Sequence, residues 1–327
     1  MNRRQLFWLF LSLAGAGLLL AYLAAHTGLD LAGAMRLIVG LDAVSLAEIT
    51  VLLGFNSYLA GEKWRLLDRL LGPDEQSGMT RTAYFAWTAV GVGLGQLLPA
   101  PLSLGLCRSL GSHLHQRGAM RGAGLTVFEQ LFDVIAAGLL GLASAAVVVT
   151  ASGSLGWVLC AVAAAVAGFA VCSATGSIPF AVCGRLRLAA ALKLGLGAGE
   201  RDRSRLLQPA VTRRLLALSL LRFAILVAIA ATSAAAVPVE IPVWRLAAAL
   251  PFAIIGNALA VTPGGLGVNE WAMSSALFAF GTPFATAAQW AIANRILVAV
   301  AALAGAGAGL FLMAIWHPRL HARAQPG

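Results

Sequence analysis

Glu129 and Asp133 stand four residues apart in an apolar run, so on a helix both carboxylates project from one face. Arg222 and the Asn294-Arg295 pair lie inside two further apolar runs. Ionisable side chains at such depth cost several kcal/mol unless paired or facing a cavity, which makes them functional candidates by default. Glu129 follows Pro99 at nearly the separation by which Arg295 follows Pro263. An acid and a base therefore fall at matching depths, and Arg295 is expected to be neutralised by Glu129 or Asp133. Asn56, Gln96, Asn257 and Gln289 add hydrogen-bonding groups at comparable depths, where a bond between helices competes with contact to a ligand. Such a set can bind a polar or charged headgroup, with Glu129 and Asp133 as candidates to carry a coupling ion.

Two helix breaks accompany these groups, Pro99-Ala100-Pro101 and Thr262-Pro263-Gly264-Gly265-Leu266-Gly267. A broken helix exposes backbone N–H groups and a positive dipole end suited to phosphate and other anions. Gly264, Gly265 and Gly267 let backbone come close to a headgroup, although Pro-Gly-Gly alone also makes an ordinary turn. Other chemistry finds little support. The sequence has no P-loop, GxGxxG element or GxSxG elbow, and His113-Leu114-His115 has no third metal ligand in sight. Cys107, Cys160, Cys172 and Cys183 show no CxxC spacing. No metal, no cofactor and no catalytic residue is expected.

The elements that must position these groups follow from composition. The 327 residues are 60% hydrophobic and 11% charged, with mean hydropathy +0.85. A soluble chain carries about 25% charged residues. This one reads as an all-α polytopic membrane protein with apolar segments near 6–25, 38–61, 82–98, 122–149, 155–183, 215–237, 246–262, 268–282 and 284–316, and with no room for a soluble domain. The net charge of +10 falls in short loops, which points to topology and anionic lipid headgroups instead of nucleic acid. Lys63, Arg65 and Arg108 belong to those loops and are expected near headgroups.

Basic clusters at Arg3-Arg4, 63–81, 108–121, 185–214 and 319–323 should all face the cytoplasm, as should both termini. Simple alternation cannot place Arg81 and Arg108 on one side. A re-entrant hairpin at about 82–112, turning at Pro99 and Pro101, removes the conflict. The same device, upside down, fits 246–282. The chain then divides into a first repeat, 1–150, and a second, inverted repeat, 151–327, with about six full spans in all. Inverted repeats with interrupted helices are the plan of many secondary transporters.

Pro263-Gly264-Gly265-Leu266-Gly267-Val268-Asn269-Glu270, followed by Asn294-Arg295, resembles the hairpin and later Arg of the lysylphosphatidylglycerol synthase transmembrane region, a flippase-like integral membrane family. Asn56 with Lys63-Trp64-Arg65, and Leu98-Pro99 with Arg108, are similar to its earlier motifs. The likeness runs over nearly the whole chain and departs at Ala100 and Gln130, where the family pattern has Gly and Arg. The resemblance implies lipid handling: a flippase of the cell (inner) membrane for an aminoacyl-phospholipid, polyprenyl-linked or hopanoid lipid, without its own ATPase. Its partners would be membrane lipids, anionic or phosphate-bearing, with a lipid-biosynthetic enzyme as a further one. Two alternatives stay open, a membrane enzyme with Glu270 or Glu129 as general base and a non-catalytic scaffold of a lipid-glycan pathway.

Overall fold

The computed structural model describes residues 42–70, 79–150, 208–237, 239–259 and 262–322, besides Ala21 and Ala25. The expected segment 6–25 apart from those two residues, the segment 155–183 and most of the basic stretch 185–214 lie outside them. Among the described residues there are eight α-helices and no strand. They are α1 (Ala43–Leu70), α2 (Arg81–Leu94), α3 (Ala100–Leu114), α4 (Ala119–Thr150), α5 (Pro209–Ala235), α6 (Val243–Leu259), α7 (Val268–Ala279) and α8 (Phe284–Ala322). A single 3₁₀ turn, Pro263–Gly265, joins α6 to α7.

Local chemistry explains the boundaries. Asp42 accepts from the backbone N–H groups of Val44 and Ser45 at 3.2 and 3.1 Å and so caps α1. Those bonds, Ser45 first, hold its carboxyl below the usual carboxylate range. Thr80 caps α2 by accepting from Ala83 at 3.2 Å. Pro99 stands at the N-cap of α3 with Pro101 in its first turn, where a missing N–H costs nothing.

α1, α4, α5 and α8 are long and apolar enough to cross a membrane, and the apolar part of α6 is shorter. α2 and α3 form an antiparallel hairpin, as do α6 and α7. The α2–α3 hairpin packs on α8 and α4, and the α6–α7 hairpin packs on α4 and α8. One core holds Trp64, Tyr84, Phe128 and Leu215 between α1, α2, α4 and α5. A second holds Leu246, Leu277 and Trp290 between α6, α7 and α8. Ile49, Ile225 and Leu297 join α1, α5 and α8 between them. Leu102, Leu106, Leu110 and Leu114 form a half-exposed stripe along α3, a surface that only acyl chains or another apolar partner can solvate well.

One expectation is corrected here. The loop read over 63–81 is helical as far as Leu70, and the loop read over 108–121 is helical as far as Leu114. The charged residues that ended those apolar runs find partners inside the bundle, so the helices continue through them.

Candidate functional site

The two helix breaks meet. The backbone N–H of Gly264 donates to the carbonyl of Leu98 at 2.9 Å, which places the turn between α6 and α7 against the turn between α2 and α3. Gly264 has φ +58°, and Gly265 and Gly267 follow at +70° and +81°, a left-handed path that only glycine takes without cost. Space requires glycine at 264 as well. A Cβ there would overlap the Arg295 guanidinium and press on the carbonyls of Gln96 and Gly95 at 3.0 and 3.1 Å. On the far side of the turn, Glu270 accepts from the Gly267 N–H through Oε2 at 2.7 Å, closing the start of α7.

Beside the meeting point lies a buried ion network. Arg108 on α3 bonds Glu129 on α4 and also donates to the carbonyl of Ala60 at 3.1 Å, under the ring of Trp64. Lys63 on α1 lies 3.7 Å from Glu129 and 2.8 Å from Asp133. Arg222 on α5 reaches Asp133 at 2.5 Å, Glu129 at 3.6 Å and the side-chain oxygen of Asn56 at 3.1 Å. Lys63, Arg108 and Glu129 are fully buried. Uncompensated, each such charge costs several kcal/mol, so α1, α3, α4 and α5 are held in register by one another's charges. Three cations face two carboxylates, and the network keeps one positive charge in excess.

Arg295 stands apart from this network. Its Nε lies 3.7 Å from Oε1 of Glu270. The expected pairing with Glu129 or Asp133 is therefore corrected: those carboxylates are taken by Lys63, Arg108 and Arg222, whereas Glu270 starts the helix that packs directly on α8. Lys63 and Arg108, read on loops, stand instead on α1 and α3 with both side chains sequestered in the network. Arg65 is nearly buried and bonds Glu62 one turn earlier.

A cavity of about 480 Å³ opens between the hairpins. That falls within the range of about 300 to 1,000 Å³ usual for ligand sites. Its polar lining comes from Asn56, Gln96, Asp133, Arg222, Asn257, Glu270, Asn294 and Arg295, and its apolar walls include Leu104, Leu226, Ile254 and Met273. The side-chain oxygens of Gln96 and Asn294 and Oε1 of Glu270 are buried without a hydrogen-bond donor among the described residues. Buried acceptors in that state are costly unless a ligand or water supplies the donor.

The structure thus gathers Gln96, Glu129, Asp133, Arg222, Asn257, Gly264, Glu270, Asn294 and Arg295 around one space. Pro99, Pro101, Pro263, Gly265 and Gly267 shape the turns beside it. Gln130, Ser219 and Asn269 also line it, although the sequence singles out none of them as site residues. A separate cluster went unread as well. Asp68 accepts from Tyr84 and Arg117 at 2.5 Å and from Arg121 at 2.8 Å, so both open ends of the α2–α3 hairpin are tied to the end of α1. Its one sequence signal is a position four residues after Trp64, on the same helix face. Among the described residues no group of three or more His, Cys, Asp or Glu is placed to hold a metal ion.

The model of the family described as lysylphosphatidylglycerol synthase TM region matches residues 9–323 of the chain. No curated protein and no solved structure matches it.

Proposed function

The chain belongs to the lysylphosphatidylglycerol synthase TM-region family, and from that premise we propose that it moves a polar-headgroup lipid across the cell membrane without catalysing a covalent step. Membership ties this integral membrane protein to lipid handling. The observation that carries the transport reading is the meeting of two broken helices, through Gly264 and Leu98, beside a cavity lined by Arg222 and Arg295. A headgroup fits a space of that size while acyl chains stay outside among the apolar faces of α3 and α8. The excess positive charge of the network, presented to the cavity by Arg222, favours an anionic or phosphate-bearing headgroup.

The alternating-access plan rests on the inverted repeat, with residues 1–150 and 151–327 as its halves, about six full spans, two re-entrant hairpins and both termini cytoplasmic. Two features support it. Both open ends of the α2–α3 hairpin come to Asp68, as a segment that returns to its side of entry would require. Each half also places an ion pair between the second leg of its hairpin and the long helix that follows, with signs exchanged: Arg108 with Glu129, then Glu270 with Arg295. Without an ATP site, movement runs downhill, with an ion, or with consumption of the lipid by a biosynthetic enzyme on the far side.

Vesicles reconstituted with the purified protein and a headgroup-labelled phosphatidylglycerol test this reading. Protein-dependent loss of inner-leaflet label protection from an impermeant quencher, abolished by Arg222→Gln, is expected. A protein that binds lipid yet never changes its leaflet would favour the scaffold reading instead.

A further inference from the structure

Glu270 differs from every other buried carboxylate of the site. Glu129 meets Arg108, Lys63 and Arg222, and Asp133 meets Lys63 and Arg222, so each is fixed by at least two cations. Glu270 is 2% exposed and, among the described residues, has Arg295 as its one cation, across 3.7 Å. Its two oxygens are divided in use. Oε2 accepts from Gly267 and holds the hairpin turn, while Oε1 lies on the cavity with no donor among the described residues. The elements packed on α7 are α6 and α8; α8 brings Arg295, and the one charge on α6, Arg245, sits at its opposite end against Gly281 and Thr282.

An anion entering the cavity meets the same Arg295. The one guanidinium cannot fully neutralise both Glu270 and a phosphate, and among the described residues the carboxylate has no other cation. As the anion takes Arg295, the carboxylate is left buried and uncompensated, a state that costs several kcal/mol unless a proton arrives. Oε1 can take that proton from bulk solvent by way of the cavity while Oε2 keeps its bond to Gly267, so the turn survives the change.

Resting on the transport reading, we infer that Glu270 is the group that couples lipid to protons: binding of one anionic headgroup at Arg222 and Arg295 is accompanied by uptake of a proton on Oε1 of Glu270. Glu129 and Asp133, the carboxylates singled out from the sequence for that role, are fixed in the network instead. Coupled in this way, an anionic lipid travels with a proton.

Calorimetric titration of the detergent-solubilised full chain with dihexanoyl phosphatidylglycerol, in buffers of different ionisation enthalpy, counts the protons taken up per lipid. This probe's phosphate does not itself titrate near neutrality. Uptake approaching one proton is expected, with affinity rising as pH falls by up to about tenfold per pH unit while Glu270 titrates. In Glu270→Gln the count falls to zero and affinity no longer varies with pH, whereas Glu270→Asp keeps part of the uptake. Binding without proton uptake by the unmodified chain, at every pH from about 5.5 to about 8, overturns the inference and leaves the transport reading standing. Equal uptake by Glu270→Gln overturns it as well. No binding of the anionic lipid at all overturns both.

Discussion

The hydrogen bond from the Gly264 N–H to the Leu98 carbonyl, 2.9 Å long, joins two helix breaks that lie far apart in the chain. Backbone meets backbone there because position 264 has no side chain, and Arg295 occupies the space a Cβ would need. The contact therefore links hairpin, hairpin and buried cation at one point.

Gly264→Ala should break that point. A left-handed conformation costs an L-residue about 1–2 kcal/mol, before the collision with Arg295 is counted. Lipid movement in vesicles should be lost, with a fall in detergent melting temperature no larger than that of a core truncation such as Leu277→Ala. Normal transport by a folded Gly264→Ala protein would remove the tip contact from the mechanism.

Arg295 and Glu270 should show mutual dependence. Arg295→Ala leaves a buried carboxylate without its cation, a loss of about 3–5 kcal/mol for a broken buried pair. Glu270→Gln added to Arg295→Ala should recover much of that stability, because no charge is stranded, and Glu129→Gln added to it should recover none. Melting curves of the three proteins decide between the two pairings.

Within the larger network the surplus of cations sets the sign. Glu129→Gln strands Arg108 and leaves Lys63 and Arg222 to share Asp133, so it should be the most destabilising single carboxylate change in the site. Lys63→Met alone removes the surplus charge and should be milder. If Lys63→Met proves the more damaging of the two, the balance of charge is not what holds these helices together.

Positions 81 and 113 should label from the same side of the membrane. Arg81 lies 3.7 Å from Glu62 near the end of α1, and the turn after α3 returns to the same end through Arg117 and Asp68. On a background free of cysteine, Arg81→Cys and His113→Cys should react with an impermeant thiol reagent from one face only. Labelling from opposite faces would make the hairpin a true crossing and end the inverted-repeat reading.

Much of this was legible in the chain itself. Hydropathy and charge alone establish a helical membrane protein, since so few charged residues cannot cover a soluble surface. Pro99, Pro263 and the glycines after it mark the breaks because ring geometry and left-handed φ angles act locally. Glu129, Asp133, Arg222 and Arg295 were equally plain as charges inside apolar runs. Their partners were not. When lipid and protein interior are both apolar, hydropathy says little about which face of a helix points inward, so rotation and register are left to packing. Only the tertiary structure turned Lys63 and Arg108 into the bundle, gave Arg295 to Glu270 instead of Glu129, and gathered Tyr84, Arg117 and Arg121 on Asp68. Each of these pairings depends on distances between separate helices, a quantity that no spacing along one helix contains.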